Sequence, residues 1–140
     1  MEFEGLKNLV NNFGIYILIG FELTHLDKEK AVFECVLKPE HSNIMGMLHG
    51  SVPFAMMDTA IGFCFVPHSE NDPGSATAEI KVNYIKPQKA DGSRIRCEAR
   101  VIHLGQRSGV AEARVFNEKG EIIAVALGSV ARKPIAKIGG

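Results

Sequence analysis

No sign of charge dominates this chain: 16 Lys and Arg stand against 16 Asp and Glu in 140 residues. A neutral balance with no run of like charge leaves no electrostatic footprint for nucleic acid. Long hydrophobic runs are missing as well. Asp58 and Pro67 interrupt the longest one, so no stretch reaches the roughly 18 apolar residues of a membrane span. Cysteine is scarce, and Cys35, Cys64 and Cys97 are odd in number, far apart and set among apolar residues. That excludes a disulfide framework or a zinc site and suits reduced, buried thiols. His25, His41, His68 and His103 lack metal-ligand spacing and read as surface residues, so neither a metal nor another cofactor is expected. The segment from Gly46 to Gly50 lacks the lysine and hydroxyl of a phosphate-binding loop, and no Gly-x-Ser-x-Gly nucleophile turn occurs. Repeats and linkers are absent too, and residues 1–140 read as one domain with a sizeable core. The opening Met-Glu-Phe-Glu is acidic where a secretory signal is basic, so a cytoplasmic location is expected.

What the chain does have is concentrated between Asn43 and Phe65. The first half of this stretch has no hydrophobic period and carries Asn43, Gly46, His49 and Gly50, so it reads as a loop whose backbone comes close to something. From Val52 to Val66 the only strongly polar side chains are Asp58 and Thr59, the pattern of a helix buried all round. An ionised Asp sunk in such a helix costs on the order of several kcal/mol unless it is hydrogen-bonded or lines a cleft. Its presence therefore calls for a reason.

The flanking segments supply a setting. Phe3, Leu6, Leu9, Val10 and Phe13 share a helical face with Gly14 as a stop, predicting a short amphipathic helix. Ile15 to Leu26 is rich in β-branched and aromatic residues and reads as a strand, with a turn at Asp27–Glu29. Ala31 to Lys38 alternates as a second strand, ended by Pro39. After the central helix, Pro67 to Ser75 reads as a polar connection. Residues 76–85, 93–104 and 108–116 then alternate as half-exposed strands, and residues 121–132, apolar on both faces, read as a central strand. Lys133 to Gly140 read as a frayed end. The order is that of an α+β domain in which a curved antiparallel sheet wraps one long apolar helix.

With these elements in place, the chain resembles hot-dog fold proteins of the acyl-CoA thioesterase superfamily, in particular the branch that includes the phenylacetic-acid-pathway thioesterases. The resemblance runs from Phe13 to about Arg132 and is most specific in Asn43-x2-Gly46-x2-His49-Gly50-x7-Asp58. Thr77-x6-Tyr84-x2-Pro87, Gly105-Gln106-Arg107, Gly120 and Leu127-Gly128-Ser129 resemble the later family strands and turns. Two departures stand out. Ser51 replaces the second glycine of the common His-Gly-Gly, and Gln106 separates Gly105 from Arg107 in the common Gly-Arg turn.

Thioester hydrolysis needs a water or carboxylate nucleophile, donors for the developing oxyanion, and a groove for a long polar carrier. Backbone amides of Gly50 and Ser51 at the helix start, helped by the helix dipole, are placed to polarise a thioester carbonyl. Asp58 lies two turns further in, on the face of position 51, and serves as nucleophile or as general base. The resemblance further implies that Asn43 orients the water or carbonyl, that His49 shapes the loop and contacts substrate, and that Thr77 hydrogen-bonds near the carboxylate. It also implies substrate contacts at Gly46, at Ser51 and, through coenzyme A phosphate, at Arg107, and a homodimer or homotetramer whose cleft lies between subunits. Two other readings stay open: a hot-dog dehydratase or hydratase using His49 with Asp58, and a hot-dog protein that binds acyl-CoA without turning it over.

Overall fold

The structure is a computed structural model and describes residues 2–69 and 75–132. Two helices open the chain, α1 (Phe3–Asn11) and α2 (Gly14–Ile19). Strands β1 (Phe21–Leu26) and β2 (Ala31–Val36) follow, then the long helix α3 (Ser51–Phe63). Four strands close the fold: β3 (Ala76–Tyr84), β4 (Arg94–Leu104), β5 (Ser108–Phe116) and β6 (Ile122–Ala131). All six strands join one antiparallel sheet in the order β1-β2-β4-β5-β6-β3. The helix α3, about 20 Å long at 1.5 Å per residue, lies on its concave face.

The sheet can come close to α3 because the residues beneath it are small. Ala99, Ala111, Ala113, Ala124 and Ala126 point into the core with Ile95, Cys97 and Val115, against Val52, Met56, Met57, Ala60 and Ile61 of the helix. Gly128 and Gly109 take the closest approaches. A Cβ on Gly128 would sit 3.0 Å from the Ile61 side chain, and one on Gly109 would overlap the Phe65 ring. Cys35, Cys64 and Cys97 are free and buried in this core. On the opposite face Glu98 gathers two cations at 3.1 Å, Lys30 from the turn before β2 and Arg96 from its own strand.

Three expectations change. Residues 15–19 form α2 rather than the start of a strand. Gly20 takes φ +91° and donates its N–H to the Tyr16 carbonyl at 2.8 Å, a left-handed helix cap that β-branched propensity does not override. His41 is buried, not on the surface. Its Nδ1 accepts the Lys38 N–H at 3.0 Å, so the neutral ring carries its proton on Nε2 and donates it to the Ile19 carbonyl at 2.6 Å. Finally, α3 is not buried all round. Ser51, Phe54, Ala55, Asp58, Thr59 and Gly62 form a stripe at helical spacing that the sheet leaves partly open. Residues 70–74 of the polar connection and the end at 133–140 lie outside the described residues. No helix among the described residues is long and apolar enough to cross a membrane.

Candidate active site

The loop before α3 is built by Asn43. Its Oδ1 accepts the N–H groups of Met45 (2.9 Å) and Met47 (3.1 Å), and its own N–H donates to the Met47 carbonyl at 2.7 Å. Such side-chain acceptance of backbone amides is what makes Asn a turn former. Gly46 closes the turn at φ +76°, a left-handed conformation that favours glycine. The tip, Ile44 and Met45, is exposed. Two bonds dock the base of the loop: Leu48 N–H to the Gln88 carbonyl at 2.7 Å and His49 N–H to the His41 carbonyl at 2.8 Å.

At the helix start the two candidate donors part company. The Ser51 N–H donates to His49 Nδ1 at 3.0 Å, and the Ser51 hydroxyl meets the same nitrogen at 2.7 Å. The Ser51 amide is therefore engaged, which corrects its placement beside Gly50 as a free donor. The neutral His49 ring carries its proton on Nε2, directed away from these two bonds. The Gly50 N–H has no acceptor among the described residues. Gly50 adopts φ −60° and ψ −21°, ordinary helical values, so its backbone does not require glycine. The reason lies outside the helix: the Tyr84 ring sits 2.9 Å from where a Cβ would be, and the Tyr84 hydroxyl donates to the Gly50 carbonyl at 2.8 Å.

Asp58 stands on the open stripe, half-buried, and its Oδ1 accepts the Thr77 hydroxyl at 2.6 Å. It lines a cavity of about 520 Å³ with Leu6, Tyr16, Thr59, Phe63 and Thr77 among others. The composition of the segment around Tyr16 reads as a strand, and only the helical turn of α2 brings Tyr16 to this cavity. Burial, and after it the Asp58 charge, push the Tyr16 hydroxyl above its usual value of 10.0. Edge-on ring contacts form a chain, Tyr16 to Phe21 at 5.5 Å, Phe21 to Phe33 at 5.7 Å and Phe33 to Phe63 at 5.5 Å between centroids, tying α2 to the far wall of the cavity.

Separate cavities serve the loop. One of about 570 Å³ is lined by Leu18, Lys38, His41, His49 and Ser51, and one of about 470 Å³ by Gly50, Pro53, Tyr84 and Lys86 among others. Neither reaches Asp58. Arg107 is exposed in the β4–β5 turn, near the end of α3, where the Phe65 ring fills the space over Gly109. Its carbonyl accepts the Arg132 N–H at 2.9 Å. The structure thus brings Asp58 together with Thr77, and His49 with Ser51, while Asn43 and Gly46 shape the loop and Arg107 stands apart from it.

Comparison with known proteins agrees with this architecture. A sequence profile described as the thioesterase superfamily matches residues 45–124, more than half of the chain. A protein of Saccharolobus solfataricus that carries an esterase name is 30% identical over 124 residues, covering 89% of this chain and 81% of the relative. The 1,4-dihydroxy-2-naphthoyl-CoA hydrolase of Listeria monocytogenes is 24% identical over 120 residues, 86% of this chain and 96% of the relative. The PaaI protein from the phenylacetic acid degradation operon of E. coli shares the fold at a TM-score of 0.82, with 20% identity over 98% of this chain and 93% of that one. A curved antiparallel sheet wrapped on one long helix, entered through the loop that ends at Gly50, is the hot-dog architecture, and the chain belongs to the thioesterase superfamily.

Proposed function

We propose that the protein hydrolyses an acyl- or aryl-CoA thioester to the free acid and coenzyme A. One observation carries this reading: a carboxylate, Asp58, is held by Thr77 on the open stripe of a helix preceded by an amide, at Gly50, that has no acceptor among the described residues. The Gly50 N–H, at the positive end of α3, polarises the thioester carbonyl. Asp58 either takes a proton from water as that water attacks the carbonyl carbon, or attacks the carbon itself and is released by water afterwards. In both routes the C–S bond breaks, the sulfur leaves as thiol with one proton of the water, and the hydroxyl stays on the acid. Asn43, with Oδ1 occupied by the loop, presents its Nδ2 to water or carbonyl, and His49 presents Nε2–H at the same mouth. Ser51 acts on substrate through His49, whose ring it fixes. Gly46 lets the loop backbone turn beside the substrate. Arg107 pairs with a coenzyme A phosphate. The activity named for the Listeria relative supports coenzyme A as the carrier.

The reading calls for two copies of the chain. Gly50 and Asp58 are eight residues apart, about 12 Å along the helix axis, whereas reacting groups must each lie about 3 Å from one carbonyl. A homodimer satisfies both distances when Gly50 of one protomer faces the partner subunit's Asp58. Two features support it. The nine-residue strand β3 forms a sheet edge that is almost wholly exposed, an edge that proteins ordinarily cover. The open stripe of α3 also carries Phe54, whose exposed ring a second helix would bury. Such dimers pair further into tetramers through the remaining faces.

The test is thiol release from a panel of phenylacetyl-, benzoyl- and fatty acyl-CoA esters. Release from at least one ester is expected. Binding without release favours a sensor or carrier, and addition of water to an enoyl-CoA favours the dehydratase.

A further inference from the structure

Gly50 raises a question that its backbone does not answer. Its helical φ and ψ are open to any residue, yet glycine has the largest conformational freedom of all and is a poor choice for a group that must hold an N–H in one direction. Tyr84 resolves the conflict. The ring Cζ and Oη lie 2.9 Å from the position of an added Cβ, and Cε1 lies 3.2 Å from it, so the ring occupies the space that a side chain on Gly50 would take. Its hydroxyl donates to the Gly50 carbonyl at 2.8 Å, which also receives the helix bond from the Phe54 N–H at 3.1 Å. Ring and hydroxyl together hold the Cα and carbonyl of Gly50 against β3, while the Val52 N–H, donated to the His49 carbonyl at 3.2 Å, holds the peptide on the other side of Gly50. With both sides held, the N–H between them keeps one direction.

We propose that Tyr84 is a positioning residue, which supplies from β3 the restraint that Gly50 lacks and so aims the Gly50 N–H at the thioester carbonyl. This rests on the thioesterase reading above. The strand that carries Tyr84 also carries Thr77, so one edge strand braces the amide and the carboxylate alike. The Tyr84 hydroxyl, pushed by burial further above its usual value of 10.0, is a donor at neutral pH.

Steady-state turnover of the best ester of the panel tests the inference. Tyr84→Phe keeps the ring and removes one hydrogen bond, and an interaction of that size corresponds to about tenfold in rate. The expected result is a kcat lowered about tenfold with KM within about twofold, because the interaction is realised in the transition state. Isotope-edited infrared spectra of carbonyl-labelled benzoyl-CoA bound to Asp58→Asn protein give a second readout. The carbonyl stretch should move to lower frequency on binding, and less so when Tyr84→Phe is added. Steric complementarity gives a third. Gly50→Ala should lose most activity by driving the ring away, and Tyr84→Ala added to it should restore part, since the alanine methyl then restrains the backbone itself. A Tyr84→Phe enzyme with unchanged kcat and an unmoved carbonyl band overturns the inference while leaving the thioesterase reading intact. Wild-type protein that releases no thiol from any ester overturns both.

Discussion

The Thr77 hydroxyl donates to Asp58 Oδ1 at 2.6 Å, a bond that joins the open stripe of α3 to the exposed edge strand β3. It holds one carboxylate oxygen and leaves the other without a hydrogen-bond partner among the described residues. Hydrogen bonds to charged groups are worth roughly 1.5–3 kcal/mol, so Thr77→Val should lower kcat about ten- to a hundredfold in the thiol-release assay. Thr77→Ser, which keeps the hydroxyl, should recover most of it.

Asp58→Asn preserves the shape of the side chain and an oxygen to accept the Thr77 bond, but removes the charge. Turnover should fall by roughly 10² to 10⁴, the range for a lost acid-base group, with the thermal midpoint little changed. An equal rate in the two proteins would falsify the assignment of Asp58.

A cleft shared between subunits has a signature that a cleft within one chain lacks. Mixing Asp58→Asn protein with Gly50→Ala protein and allowing subunits to exchange should restore up to about a quarter of wild-type activity. Half of the dimers are then mixed, and each mixed dimer holds one intact site of two. If the two crippled proteins remain inactive after exchange has been verified, both groups act within one protomer.

The buried thiols set an alkaline limit to stability. Burial pushes Cys35 up to about 11 and Cys64 up to about 12 from the usual 9.0, and raises Cys97 as well. The folded chain therefore holds these protons in a range where the unfolded chain has released them. Their contribution is full below pH 9 and is lost as pH rises through the folded-state values. Urea midpoints should be flat from about pH 7 to 8.5 and decline above pH 9, and Cys64→Val should make that decline shallower.

Much of this site is legible in the sequence because its residues sit where no structural pattern wants them. An Asp in an otherwise apolar helix and an Asn, two Gly and a His in an unpatterned loop stand out on their own, and period-two alternation marks most of the strands. The remainder depends on partners distant in the chain. Residues 15–19 read as a strand because Ile and Tyr favour strands, whereas the left-handed cap at Gly20 and the packing of Tyr16 on Phe21 make a helix. The stripe of α3 looks buried because Phe54, Ala55 and Gly62 are apolar or small, although the sheet of the same chain does not cover them. His41 gives no local sign that it will carry the Ile19 carbonyl, and the engagement of the Ser51 amide follows from one rotamer of His49.

The alanines and glycines beneath α3 act as the height gauge of the candidate site. Asp58 meets Thr77 at hydrogen-bonding distance only while the helix rests at this level above the sheet. A methyl added at Gly128 would stand 3.0 Å from the Ile61 side chain and 3.3 Å from the Glu79 carbonyl, so one of these neighbours would have to give way by a few tenths of an ångström. The level of the carboxylate is thus set from below, by residues with almost no side chain.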